Sequence, residues 1–187
     1  ANNASKTALT WRKYLDEQYA NGIWNTNACP IVIRYAEVLL TYAEAVNELS
    51  GPSADVYDKL DLIRGRVGMP KVDREKYASK ETLRRLIRRE RGVELAGEGV
   101  RRADILRWKD DNGKMVAETV LNGVLERVVG TVNYAETDPT KRAEIDTNAP
   151  ATDKKIEDRV FKVHNRYNPI PQGAIDNNPN LEQNPGY

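Results

Sequence analysis

Cysteine and histidine are almost missing from this sequence. Cys29 is the only thiol, so an internal disulfide and a cysteine cluster for metal are both excluded. His164 is the only imidazole, which leaves a His/Cys metal centre without ligands. No metal or cofactor is expected. Phenylalanine also occurs once, and the aromatic complement is 9 Tyr and 3 Trp, whose polar tips suit a surface that touches something. Neither sign of charge dominates: 29 Lys and Arg face 28 Asp and Glu, which argues against a dedicated nucleic-acid or anionic-membrane binder. No apolar run approaches the ~20 residues that span a bilayer. The opening ANNASKTALT has neither the basic start nor the apolar core of a signal peptide.

Three regions emerge along the chain. Residues 1–29 show no sustained period and read as an irregular lead-in. Residues 30–112 read as helical. Val32, Ala36, Leu39, Leu40, Ala43 and Val46 share one face of a helix over 31–49, with Pro30 in its first turn and Ser50-Gly51-Pro52 ending it. Ser53 is placed to cap a second helix over about 54–67, striped by Val56, Leu60, Ile63 and Val67 and stopped by Gly68 and Pro70. Two such helices joined by a short turn form a helical hairpin of tetratricopeptide-like length, present once. Ser79 opens a third helix over about 80–97, and RRADILRWKD a fourth over about 100–109, closed by Asp111-Asn112-Gly113.

Residues 113–187 read as loop-rich. VLERVVGTV and EDRVFKV are β-branched and predict short strands that pair, with a polar loop over 133–153 between them. Four Pro and six Asn in the last 24 residues predict neither helix nor central strand there. The fold class is therefore mostly α, with a few short strands near the carboxyl terminus.

The third helix carries the most informative pattern. Glu90 and Glu94 fall on the face of Leu83 and Ile87, and Glu98 lies one turn on. Carboxylates on an inward face must be paired, protonated or bound to metal. The chain offers Arg34, Arg64, Arg66, Arg101 and Arg102 as partners, and Arg forks match carboxylates bidentately. The expected arrangement is a structural ion network of Arg34, Arg64, Glu90, Glu94, Glu98, Arg101 and Arg102. The competing reading is a glycosidase acid/base pair, because retaining enzymes hold two carboxyls about 5–5.5 Å apart. No second catalytic motif accompanies the spacing, and the nearby arginines compete for the carboxylates. No catalytic residue is assigned.

The basic run RRLIRRER lacks the aromatic interleaving of a nucleic-acid site and reads as a solvated or partner-facing helix side. Asp176-Asn177-Asn178 lacks the spacing of a calcium loop and reads as turn-forming. His164 receives no role. Trp11, Tyr14, Tyr19 and Trp24 lie within fourteen residues and are the candidate ligand platform, since aromatic faces stack on sugar rings. Packing over the helices is the alternative, because Trp is highly buried on average.

Three segments in order carry a family resemblance: RYAEVLLTYAEA at Arg34–Ala45 with IRGRVG at Ile63–Gly68, then ERGVELAGEGVRRADILRW at Glu90–Trp108, then PIPQGAIDNNPNLEQNPGY at Pro169–Tyr187. Together they resemble the SusD/RagB family, its carboxyl-terminal part. Departures are small: Gly173-Ala174 where Ser-Glu is common, Gly92 for a second Arg, and Ile105 for Leu. The resemblance implies a tetratricopeptide-rich helical fold and a non-enzymatic nutrient-uptake role. It implies an outer-membrane, cell-surface lipoprotein of Bacteroidetes-type bacteria that binds glycans or peptides and sits on a SusC-like TonB-dependent transporter. Members are far longer and carry an acylated cysteine near their start, so this chain is expected to be a carboxyl-terminal piece, with membrane attachment only through a lipid anchor it lacks. No nucleic-acid partner is implied. The terminal segment is expected to be an ordered strap. A protein–protein scaffold of helical repeats, with no ligand of its own, stays open beside the glycan reading.

Overall fold

The computed structural model describes residues 5–9, 13–14, 29–138 and 141–187. Contacts divide the chain into two units, one of Lys13–Arg102 and one of Ala1–Arg12 with Ala103–Tyr187.

The first unit is a three-helix assembly. Helix α1 is Tyr35–Ser50, α2 is Ala54–Arg66 and α3 is Lys80–Glu94. α1 packs against both others. It buries Leu39, Leu40, Ala43 and Asn47, and the methyl of Ala43 permits close approach of its neighbours. Three residues turn the chain into α2. Gly51 adopts φ +80°, which favours glycine, and the Ser53 hydroxyl accepts the Val56 amide at 3.3 Å. α2 contributes Val56, Tyr57, Leu60 and Ile63 to the core. α3 begins with a reciprocal cap: the Thr82 amide donates to Ser79 Oγ and the Ser79 amide to Thr82 Oγ1, each at 3.2 Å. Leu83, Leu86 and Ile87 complete the core, joined by Val72 and Leu95.

Polar ties fix the register of these helices. Asn47 Nδ2 donates to the Lys80 carbonyl at 3.1 Å, at the mouth of α3. Arg84 grips Glu48 with two bonds of 2.5 and 2.6 Å, and Lys80 donates to the Glu48 carbonyl. Buried Arg91 donates to Thr41 Oγ1 at 3.0 Å and faces Glu44 at 3.7 Å. The Tyr57 hydroxyl donates to the Tyr77 carbonyl at 2.8 Å, pinning the connection that leads to α3.

The first helix starts later than its apolar pattern predicts. Val32 and Ile33 are 86% and 72% exposed, and the helix opens only at Tyr35. Pro30 accordingly precedes the helix instead of occupying its first turn.

Helix α4 is Arg101–Arg107. The second unit has its own small core of Ile105, Trp108, Met115 and Ala117. Asp111-Asn112-Gly113 forms the tip of a tight antiparallel bridge, Lys109 to Met115, that leads into α5, Val116–Val120. Asp110 Oδ1 accepts the amides of Asn112 and Lys114 at 2.9 Å each, and Gly113 takes φ +76°.

The two β-branched segments pair as expected, but their bounds and the loop between them need correction. VLERVVGTV is two strands, β1 at Gly123–Glu126 and β2 at Gly130–Val132. The polar stretch read as loop holds β3 at Ala143–Ile145 and a helical turn, α6, at Ala151–Lys154. β2 pairs antiparallel with β3, while β1 pairs antiparallel with β4 at Lys155–Arg159. Asn122 extends the latter ladder with its side chain, exchanging bonds with the Phe161 backbone at 2.6 and 3.2 Å.

Residues 164–187 also contain helix where none is predicted. Val163–Arg166 forms a 3₁₀ turn, and α7 spans Gln172–Asn177. Pro171 sits at the cap of α7, where its missing amide costs nothing. Beyond α7 the tail folds back as a strap. Gln183 brackets the Ile170 amide and carbonyl at 2.8 and 2.9 Å, and Asn184 Nδ2 reaches the Asn168 carbonyl at 2.7 Å. The Tyr187 hydroxyl donates to the Tyr167 carbonyl at 2.9 Å, with its ring edge-on to His164 at 5.0 Å. Asn178 Oδ1 accepts the Asn180 amide at 3.1 Å, so it serves a turn.

Candidate functional site

The carboxylates of Glu90, Glu94 and Glu98 line up along the end of α3 and the turn beyond it, each bound to a cation. Arg34, at the cap position of α1, is the central fork. Its Nε donates to both Glu98 oxygens at 3.0 and 2.7 Å, its Nη1 to Glu94 Oε1 at 2.6 Å, and its Nη2 to the Glu94 carbonyl at 2.5 Å. Arg66, from the last turn of α2, approaches Glu94 at 2.9 Å. Arg64, in the same last turn, donates to Glu90 at 2.5 Å and to the Pro70 carbonyl at 2.7 Å. Lys13 adds an ion pair to Glu98 and bonds to the carbonyls of Glu94 and Ala96 at 3.2 and 2.9 Å. Arg101 and Arg102 are exposed, and the Arg101 guanidinium lies over Gly92.

The electrostatics follow from that geometry. The Glu98 side chain is 3% exposed. Burial pushes its pKa up, but hydrogen bonds from Arg34 and Lys13 outweigh burial and the net direction is down. Arg34 is shifted upward in turn, chiefly by its bond to Glu98. A general acid needs the opposite shift, towards neutrality. Carboxylates held by guanidinium forks in this way tie the helices together.

Two clefts flank this network on α3. The first has a volume of about 220 Å³ and is lined by Tyr14, Cys29, Pro30, Ile31, Gly97 and Glu98. Tyr14 holds φ +70°, an uncommon backbone state for a bulky residue, and Lys13 lies 5.9 Å from its ring centroid. Trp11, Tyr19 and Trp24, the other candidate platform residues, lie outside the described residues. The second cleft, about 250 Å³, opens between the end of α2 and the outer side of α3, where Tyr77, Arg89 and Glu90 meet Met69 and Val93.

Sequence reasoning passed over Lys13, the Glu48–Arg84 grip and the buried Arg91. A signal existed for the second: Glu44 and Glu48 are four apart on α1, facing the basic run of α3. None existed for Lys13, whose contacts are more than eighty residues away in sequence. Among the described residues no group of three or more His, Cys, Asp or Glu is arranged for a metal, and no helix is long and apolar enough to cross a membrane.

Comparison with known proteins adds to this geometry. The chain is 40% identical over 79 residues to SusD-like protein P25 of Formosa agariphila, covering 42% of this chain and 15% of that protein. It is 38% identical over 93 residues to SusD-like protein P2 of the same organism, covering 47% of this chain and 18% of that protein. The crystal structure of a SusD-like protein from Bacteroides fragilis superposes with a TM-score of 0.62 at 28% identity, over 84% of this chain and 26% of the other. The chain thus spans about a quarter or less of the length of these relatives. The SusD family model matches residues 1–187, and the chain belongs to the SusD family.

Proposed function

We propose that this chain is part of a cell-surface glycan-capture protein that binds nutrient oligosaccharide and hands it to a SusC-like TonB-dependent transporter in the outer membrane, without turning it over. Attachment to the membrane is through a lipid anchor on the parent protein. The observation that carries the reading, beside family membership, is the cleft at Tyr14. It joins a partly exposed aromatic ring to backbone and side-chain acceptors, the combination that sugar recognition uses. Trp11, Tyr19 and Trp24, close to Tyr14 in the sequence, complete the platform.

Affinity electrophoresis against a panel of polysaccharides tests it. Retardation by at least one glycan, relieved in Trp11→Ala, Tyr14→Ala and Trp24→Ala, is the expected result. Cleavage of any oligosaccharide by the purified protein, abolished in Glu94→Gln, would overturn the non-enzymatic part.

A second reading has its own observation. Tyr35, Val38, Tyr42 and Leu49 form a stripe of exposed apolar side chains along α1. Such a stripe favours a protein-interaction scaffold. Absence of retardation by every glycan would decide for it.

A further inference from the structure

The second cleft carries an assignment of its own. Its apolar lining is Met69, Leu86 and Val93, and two of these, Met69 and Val93, stay well exposed among the described residues. The polar groups beside them hold unused valences. Arg89 is exposed and makes no hydrogen bond or ion pair among the described residues. Arg64 spends Nε on Pro70 and Nη1 on Glu90, leaving Nη2 with no bond among the described residues. Glu90 gives one carboxylate oxygen to Arg64 and keeps the other. Tyr77 uses its carbonyl for Tyr57, while its hydroxyl has no partner among the described residues.

Charge decides the class of ligand. Two arginines against one glutamate leave the cleft with one net positive charge. Its volume, about 250 Å³, lies just below the range of about 300–1,000 Å³ for drug-sized ligands and suits one ring. We propose that this cleft binds one carboxylated sugar ring, a uronic acid unit, with the carboxylate on Arg89 and the ring's apolar face over Leu86 and Val93. A guanidinium matches a carboxylate with two parallel bonds. The free Glu90 oxygen and the Tyr77 hydroxyl then take ring hydroxyls. That last requirement favours a sugar over an aromatic acid, because benzoate would leave both groups unpaired. The inference rests on the glycan-capture reading and gives it a second contact point, separate from Tyr14.

The test is an amide chemical-shift titration of the full 187-residue chain with glucuronate, glucuronamide, glucose and benzoate. Glucuronate should shift the amides of Met69, Tyr77, Arg89 and Val93, and added salt should weaken it. Arg89→Ala should weaken glucuronate by about tenfold or more, the worth of one charge-assisted pair, and leave glucuronamide unchanged. Arg89 is exposed, so the variant should keep the parent melting temperature. Tyr77→Phe should weaken glucuronate and glucuronamide alike. Equal response to glucuronamide or benzoate, no shifts at these amides, or an Arg89→Ala protein with parental affinity would each overturn the assignment. Polysaccharide retardation through the Tyr14 platform is read separately: if it persists while the titration fails, only this cleft falls. If retardation fails while glucuronate binds as described, the capture reading falls and the acid site stands.

Discussion

Replacing Arg34 with alanine removes four hydrogen bonds at once, three to the carboxylates of Glu94 and Glu98 and one to the Glu94 carbonyl. Breaking a buried ion pair by deleting one partner costs about 3–5 kcal/mol, because the other charge stays buried. Two features reduce the figure here. Glu94 keeps Arg66 and Glu98 keeps Lys13, so neither carboxylate is orphaned. Arg34 itself is 23% exposed, so water screens part of the interaction. About 2–4 kcal/mol is the expected loss, read from urea unfolding at constant m-value. For a chain of this size that is a fall in Tm of about 4–16 °C. Arg34→Lys should recover less than half, since one ammonium cannot fork to two carboxylates and a carbonyl. A double-mutant cycle with Glu98→Gln isolates the pair and should return about 1 kcal/mol or more of coupling. A loss within error for Arg34→Ala, or full rescue by lysine, would refute the view that this fork rivets α1 to the end of α3.

Acid should weaken the first unit in a defined window. The folded pKa of Glu98 is depressed below its ordinary value of 4.5, so its stabilisation is complete above that pH and fades as pH falls through the lowered value. Glu48 shifts the same way through its bond to Arg84, but it is 38% exposed and adds little. Glu98→Gln should therefore lose stability at pH 7 and show a shallower acid decline than the parent, checked by denaturation midpoints from pH 7 to 3. Gly130→Ala should open the β2–β3 pair, because a Cβ there would stand 2.2 Å from the Glu144 carbonyl oxygen. Faster hydrogen exchange at the Asp146 and Asn133 amides, with α1–α3 protection unchanged, is the expected readout. Leu40→Ala, at a fully buried position of α1, should cost about 2–5 kcal/mol in urea unfolding.

What the sequence disclosed and what it withheld divide along one physical line. α2 and α3 could be placed within a few residues because each announces itself locally, through a serine cap, an apolar stripe and a stop. The start of α1 has no such local mark, because Val32 extends the stripe by spacing alone while the backbone at Arg34 is extended (φ −140°). That geometry frees Arg34 to turn its whole guanidinium towards Glu94 and Glu98, so the unmarked boundary and the strongest polar contact have one cause. The second unit is less legible for the complementary reason. Its strands are three to five residues long and almost wholly exposed, so burial writes no alternating pattern into them. β3, Ala-Glu-Ile, is set by its pairing with β2 and by the Asp146 bond to the Val129 carbonyl, neither of which has a local signature. The clefts lie furthest from sequence legibility. Tyr77, on the connection from α2 to α3, and Arg89 of α3 line the same cavity only once that connection is folded, and Arg89 looks in the sequence like one more charge in a basic run. Among the described residues the first three arginines of that run have partners and the fourth has none, a difference that only the fold creates.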